Sequence, residues 1–146
     1  MTNTATPELT AEQRELRLAW QMALDIERAC RIVGYVHERN ANVCERGCEW
    51  DELADRILDE HVGDPLSIDV QLSGTYADYQ SGDLSDMTLD HVGVLLGTGG
   101  PARGIEFRAY GDARVWHQDW GTQRAYAVLG DDAAETLANH WGIDFP

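Results

Sequence analysis

Leu66-Ser67-Ile68-Asp69-Val70-Gln71-Leu72-Ser73 is where the texture of the chain changes. Apolar and polar residues alternate strictly over these eight positions. That is the period of a strand with one buried face. Upstream the pace is helical. Thr10 and Gln13 have the spacing of a capping box ahead of an apolar run. From there Leu16, Trp20, Ala23, Ile26, Cys30 and Val33 recur every three or four residues, with Arg14, Arg17, Arg28 and Arg31 on the polar side. This predicts one long helix ending between Glu38 and Val43. Glu49 to Val62 predicts a second helix with Trp50, Leu53 and Ile57 inward, stopped by Gly63-Asp64-Pro65.

Downstream of the first strand, the polar stretch from Gly74 to Asp90 reads as a long loop. His91 to Gly97, Gly104 to Tyr110 and Ala113 to Trp120 read as strands, and Arg124 to Leu129 extends or follows the last of them. Gly99-Gly100-Pro101 turns the chain, and Gly111-Asp112 suits a two-residue hairpin. Asp131 and Asp132 open a short helix through Trp141, where their charge suits the N-terminal dipole. Helices first and strands afterwards indicate α+β rather than a doubly wound parallel sheet. The expected architecture is two N-terminal helices, a four- to five-stranded antiparallel meander and one C-terminal helix. Residues 1–9 form a flexible tail and residues 10–146 a single domain.

The charge is one-sided. There are 26 acidic residues against 11 basic ones, a net charge of −15, and every basic residue is arginine. A field of that sign repels phosphate, which argues against direct nucleic-acid binding, and it draws in a basic partner. Plain solubility, or a GC-rich proteome that writes arginine for lysine, is the bland alternative. No apolar run reaches the length of a membrane span, and the N-terminus lacks the regions of a signal peptide. Three cysteines give no disulfide framework. The chain reads as cytoplasmic, with no membrane partner.

The absence of lysine excludes a Schiff base, a Ser-Lys dyad and a Walker phosphate loop. None of Ser67, Ser73, Ser81 and Ser85 sits in a nucleophile-elbow pattern. Gly97, Gly99 and Gly100 precede a proline rather than Lys-Ser/Thr, so they read as a turn. His37, His61, His91, His117 and His140 are scattered and form no metalloprotease motif. The reading is therefore not an enzyme, with no cofactor and no metal in its leading form. The alternative is a zinc-stabilised regulatory or adaptor module. Cys30, His37, Cys44 and Cys48 fall within nineteen residues and could close a tetrahedral site, although the usual tight Cys-x-x-Cys knuckle is missing.

Two acidic regions suit contact with a basic surface. Asp51, Asp55 and Asp59 recur every four residues on one face of the second helix, opposite its apolar side. The long loop mixes Tyr76 and Tyr79 with Asp78, Asp83, Asp86 and Asp90, aromatic anchors among carboxylates. The densest aromatic cluster is Trp116-His117-Gln118-Asp119-Trp120. On a strand, Trp116, Gln118 and Trp120 share one face and His117 and Asp119 the other.

Three further segments carry a resemblance. They are Asp64-Pro65-Leu66 through Ser73-Gly74, then Leu95-Leu96-Gly97-Thr98-Gly99-Gly100-Pro101-Ala102, then Ala113-Arg114 through Gln118-Asp119-Trp120-Gly121-Thr122. Together they resemble small acidic accessory proteins of phages and integrative mobile elements in GC-rich bacteria. The likeness spans roughly residues 64–126. It departs at Thr75-Tyr76 and Gln123-Arg124, where that family would place Trp and Pro-Trp. The resemblance implies a mobile-element inhibitor of a bacterial defence complex, of the anti-CRISPR or antirestriction kind, acting in the cytoplasm of the host. Such a protein would block DNA or RNA access by occupying a basic protein or nucleoprotein surface. On this reading Asp51, Asp55, Asp59, Tyr76, Asp78, Tyr79, Asp83 and Asp86 make the contact, and the oligomeric state stays open.

Overall fold

A computed structural model describes residues 8–40, 49–82, 85, 87–99, 101–109 and 111–144. Apart from Glu8 and Leu9, the expected tail lies outside them. The elements run α1 (Ala11–Asn40), α2 (Glu49–His61), β1 (Ser67–Ser73), α3 (Tyr76–Ser81), β2 (Thr88–Gly97), β3 (Ala102–Arg108), β4 (Ala113–Gln118), β5 (Ala125–Leu129) and α4 (Asp131–Trp141). The five strands form one sheet in chain order, each antiparallel to the next. This is the α+β meander that the sequence predicts.

The start of α1 is fixed by its capping box. The Thr10 amide donates to Gln13 Oε1 at 2.9 Å, and the Gln13 amide donates to Thr10 Oγ1 at 3.2 Å. α1 packs on β4 and β5, while α2 and α4 pack on α1. The core lies between this helical layer and one face of the sheet. Ile26, Val33, Leu58 and Leu137 meet Val94, Ile105, Phe107, Val115 and Leu129 there. Both α2 and α4 end on a glycine with positive φ, Gly63 at 101° and Gly142 at 67°, the left-handed turn that closes a helix C-terminus.

The buried line of α1 differs from the expected one. Leu16 and Trp20 are exposed, and Glu15 and Ala19 take their place beside Ala23, Ile26, Cys30 and Val33. Two causes act together. Ala19 and Ala23 are small enough for close approach to the sheet, and Glu15 has a buried partner on β4. In α2 the buried residues are Ala54 and Leu58. Ile57 packs partly against the core, whereas Trp50 and Leu53 are only half-buried. The aspartates therefore flank the inner face instead of lying opposite it.

The long loop is also interrupted. α3 forms because the Thr75 amide and hydroxyl both donate to Asp78 Oδ2 at 2.8 Å, while the Asp78 amide donates to Thr75 Oγ1 at 3.2 Å. These bonds make a capping box with aspartate in the acidic position. β4 stops at Gln118 because Asp119 to Thr122 form a turn. The Trp120 amide donates to Asp119 Oδ1 at 2.8 Å, and Gly121 takes a φ of 75°. Trp120 thus leaves the strand face that the alternation predicts it to share with Trp116.

Candidate functional site

The spacing of Asp51, Asp55 and Asp59 sets all three along one flank of α2, and each meets a histidine from a neighbouring helix. His140 of α4 places Nδ1 3.2 Å from Asp55 Oδ1 and Nε2 3.4 Å from Asp59 Oδ1. His37 of α1 places Nδ1 3.6 Å from Asp51 Oδ1. His140 thus lies between the Asp55 and Asp59 carboxylates, with one ring nitrogen toward each. The Asp55 and Asp59 side chains remain 64% and 45% exposed, so their outer lone pairs face water. Beside them lies a cleft of about 290 Å³ bounded by His37, Gly34, Asp55, Thr136, Asn139 and His140.

The second expected region is only partly on the same footing. Tyr76 is exposed at the start of α3. Asp78 is committed to its own helix, and the backbone hydrogen bond from Thr75 holds its carboxyl below the usual carboxylate range. Asp83 and Asp86 lie outside the described residues, as does the side chain of Tyr79. α3 joins β1 to β2 at one edge of the sheet, whereas α2 packs on α1, which sits over β4 and β5 at the other side. The two acidic regions are therefore carried by separate parts of the fold.

A third cluster, which sequence reading did not assemble, occupies the sheet face turned away from α1. Glu106 on β3 is 5% exposed and accepts from Arg114 Nε at 2.8 Å and Arg124 Nη1 at 3.4 Å. Arg114 stacks on Tyr126 at 3.8 Å and Arg124 on Trp116 at 3.9 Å. Each guanidinium is thus held by a carboxylate edge-on and an aromatic face beneath. Gln118 locks the rim, donating from Nε2 to the Thr122 carbonyl at 3.0 Å and accepting from Arg124 Nε at 3.4 Å. A shallow groove of about 200 Å³ runs from Trp116 and Arg124 over Gly93 to Asp69 and His91. The alternation of Arg114, Trp116 and Gln118 along β4 is its visible signal in the sequence. The partner Glu106 leaves none, because only the β3–β4 register sets it opposite Arg114.

Of the four residues of the zinc alternative, Cys44 and Cys48 lie outside the described residues. Cys30 is buried, with Sγ 3.8 Å from the Ala133 carbonyl oxygen. Burial, then the nearby Glu27 charge, pushes its thiol up to about 12. Among the described residues no group of three His, Cys, Asp or Glu is placed to hold a metal ion. Cys30 should consequently be inert. In a variant with Cys44 and Cys48 changed to serine, iodoacetamide at about pH 8 should alkylate the folded chain at least about 100-fold more slowly than the chain in urea. Equal rates would show that Cys30 is open to solvent.

No described helix is long and apolar enough to cross a membrane. No protein-family model, curated protein or solved structure matches the chain.

Proposed function

We propose that the chain is a stoichiometric inhibitor of a bacterial defence complex, an anti-CRISPR protein that occupies a basic, nucleic-acid-binding surface and blocks access to it. The observation that carries this reading is the segregation of charge. α2 holds Glu49, Asp51, Glu52, Asp55, Asp59 and Glu60 against a single arginine, Arg56. α4, joined to it through His140, adds Asp131, Asp132 and Glu135 and no arginine. Most arginines lie on other elements. α1 carries Arg14, Arg17, Arg28, Arg31 and Arg39 but balances them with Glu12, Glu15, Asp25, Glu27 and Glu38. Of these arginines, Arg31 borders the cleft beside Asp131 and Asp132. Arg108, Arg114 and Arg124 are taken up by carboxylates at the sheet. One flank of the molecule therefore carries a concentrated negative field. Such a field steers association with a basic groove and disfavours phosphate as a direct ligand. The class of target comes from the resemblance over residues 64–126; the charge supplies the mode of binding.

The test is a panel of purified CRISPR effector complexes and restriction enzymes from GC-rich hosts. Added at one equivalent in low salt, the chain should abolish DNA or RNA binding by its target, and the effect should fade as salt rises. Asp51→Asn/Asp55→Asn/Asp59→Asn should slow association about tenfold at low ionic strength, with helix content unchanged. If no complex in the panel loses nucleic-acid binding, or if the triple variant associates as fast as the parent, the reading fails.

A further inference from the structure

The helical layer sits off-centre. α1 comes down over β4 and β5, and α2 and α4 pack on α1. The inward-type residues of β1, and Leu66 just before it, are consequently left bare: Leu66 is 61% exposed, Ile68 42%, Val70 59% and Leu72 39%. The outer edge of β1 pairs with no described strand. At the other end of the sheet, β5 is short, five residues, and lies under α1. A seven-residue edge strand with an open apolar face is a template for another strand unless lysine, proline or an inward charge blunts it. β1 has no lysine and no proline, and its single charge is Asp69.

We propose that β1 pairs antiparallel with β1 of a second copy about a two-fold axis at Val70, joining two sheets into one. The strand is complementary to itself in that register. Val70 faces the partner's Val70, and Ile68 faces the partner's Leu72, so the exposed apolar faces lie side by side. Asp69 faces the partner's Gln71, whose amide can donate to its carboxylate. The two Asp69 carboxylates are diagonal neighbours, about 7–8 Å apart. That distance is close to the screening length of about 8 Å at physiological ionic strength. Repulsion between two chains of net charge −15 acts against the pairing, so the dimer tightens as salt rises. This is the opposite salt dependence to capture of a basic target, and the inference stands independently of the proposed function.

The experiment measures the mass of the full chain by sedimentation at about 100 μM in low and high salt, where mass action favours the assembled form. The expected result is a dimer whose population grows with salt. Val70→Lys puts two ammonium groups opposite each other at the axis and should give a monomer with an unchanged far-UV spectrum, because Val70 is exposed. Gln71→Lys sets a cation against the partner's Asp69 and should tighten the dimer about two- to fivefold. Val128→Lys, on the other edge strand, should leave the mass unaltered. A single-chain mass at every salt concentration overturns the proposal. So does a dimer that ignores Val70→Lys, or one that Gln71→Lys fails to tighten.

Discussion

Gly104→Ala is expected to destabilise the fold by about 3 kcal/mol, the upper part of the range for overpacking. β3 crosses the centre of the sheet at Gly104, opposite Trp116 of β4 and Leu95 of β2. A Cβ there would lie 2.4 Å from the Val94 carbonyl oxygen and 2.6 Å from Trp116 Nε1. The first neighbour is backbone in the next strand and cannot swing aside. The second is an indole that supports Arg124 from below. The missing side chain thus lets Trp116 lie flat across β3, and it keeps the two guanidiniums within reach of Glu106. Gly93 is the control. A methyl group there would have His91 ring atoms at 3.8 Å as its nearest neighbours, an ordinary contact. Gly93→Ala should therefore change stability by less than about 0.5 kcal/mol, or raise it by restricting the unfolded chain. Urea midpoints of the two variants make the comparison. A Gly104→Ala protein within about 1 kcal/mol of the parent would show that the sheet absorbs the methyl, contrary to the packing described.

The contrast between these two glycines also marks what can be read from the sequence. The alternation from Leu66 to Ser73 predicts β1, and the Thr10–Gln13 box places the start of α1 within a residue. Those features are local, written in neighbours three or four apart. Long-range partners leave no such mark. Leu16 and Trp20 have the right apolar spacing for a core face, but Glu15, one position earlier, is pulled inward by a histidine 102 residues away. The Thr75–Asp78 box is local and legible in principle. It escapes a sequence reading because Asp stands where Glu or Gln is usual, and because Gly74 and Gly82 frame it like a loop. The site shows the same split. The period of Asp51, Asp55 and Asp59 is visible in the chain, but their histidines come from α1 and α4. The joining of Glu106 to Arg114 and Arg124 depends on strand register, and hydrophobic period alone fixes register only modulo two residues.

The Glu15–His117 pair carries the second large expected effect. Glu15 is 4% exposed and His117 8%, with Oε2 and Nδ1 2.5 Å apart between α1 and β4. His117→Leu takes away the histidine that meets this carboxylate and leaves the space filled with hydrocarbon. A carboxylate is ionised near neutral pH in its ordinary state, and burying it without a partner is among the most expensive substitutions available. The expected loss is about 3–5 kcal/mol. Glu15→Leu leaves the imidazole alone instead. Histidine has an uncharged form at ordinary pH, so the cost falls to that of one unsatisfied polar group, about 1–3 kcal/mol. The double variant Glu15→Leu/His117→Leu removes both polar groups. Replacing a buried pair by apolar side chains of similar volume is often neutral, so the double variant should recover most of the stability lost by His117→Leu. Urea unfolding of the parent, both single variants and the double closes the cycle. The expected signature is strong non-additivity, with the double variant more stable than His117→Leu alone. If the two single losses simply add, or if each stays below about 1 kcal/mol, the pair is not the buried clamp between α1 and β4 that its geometry describes.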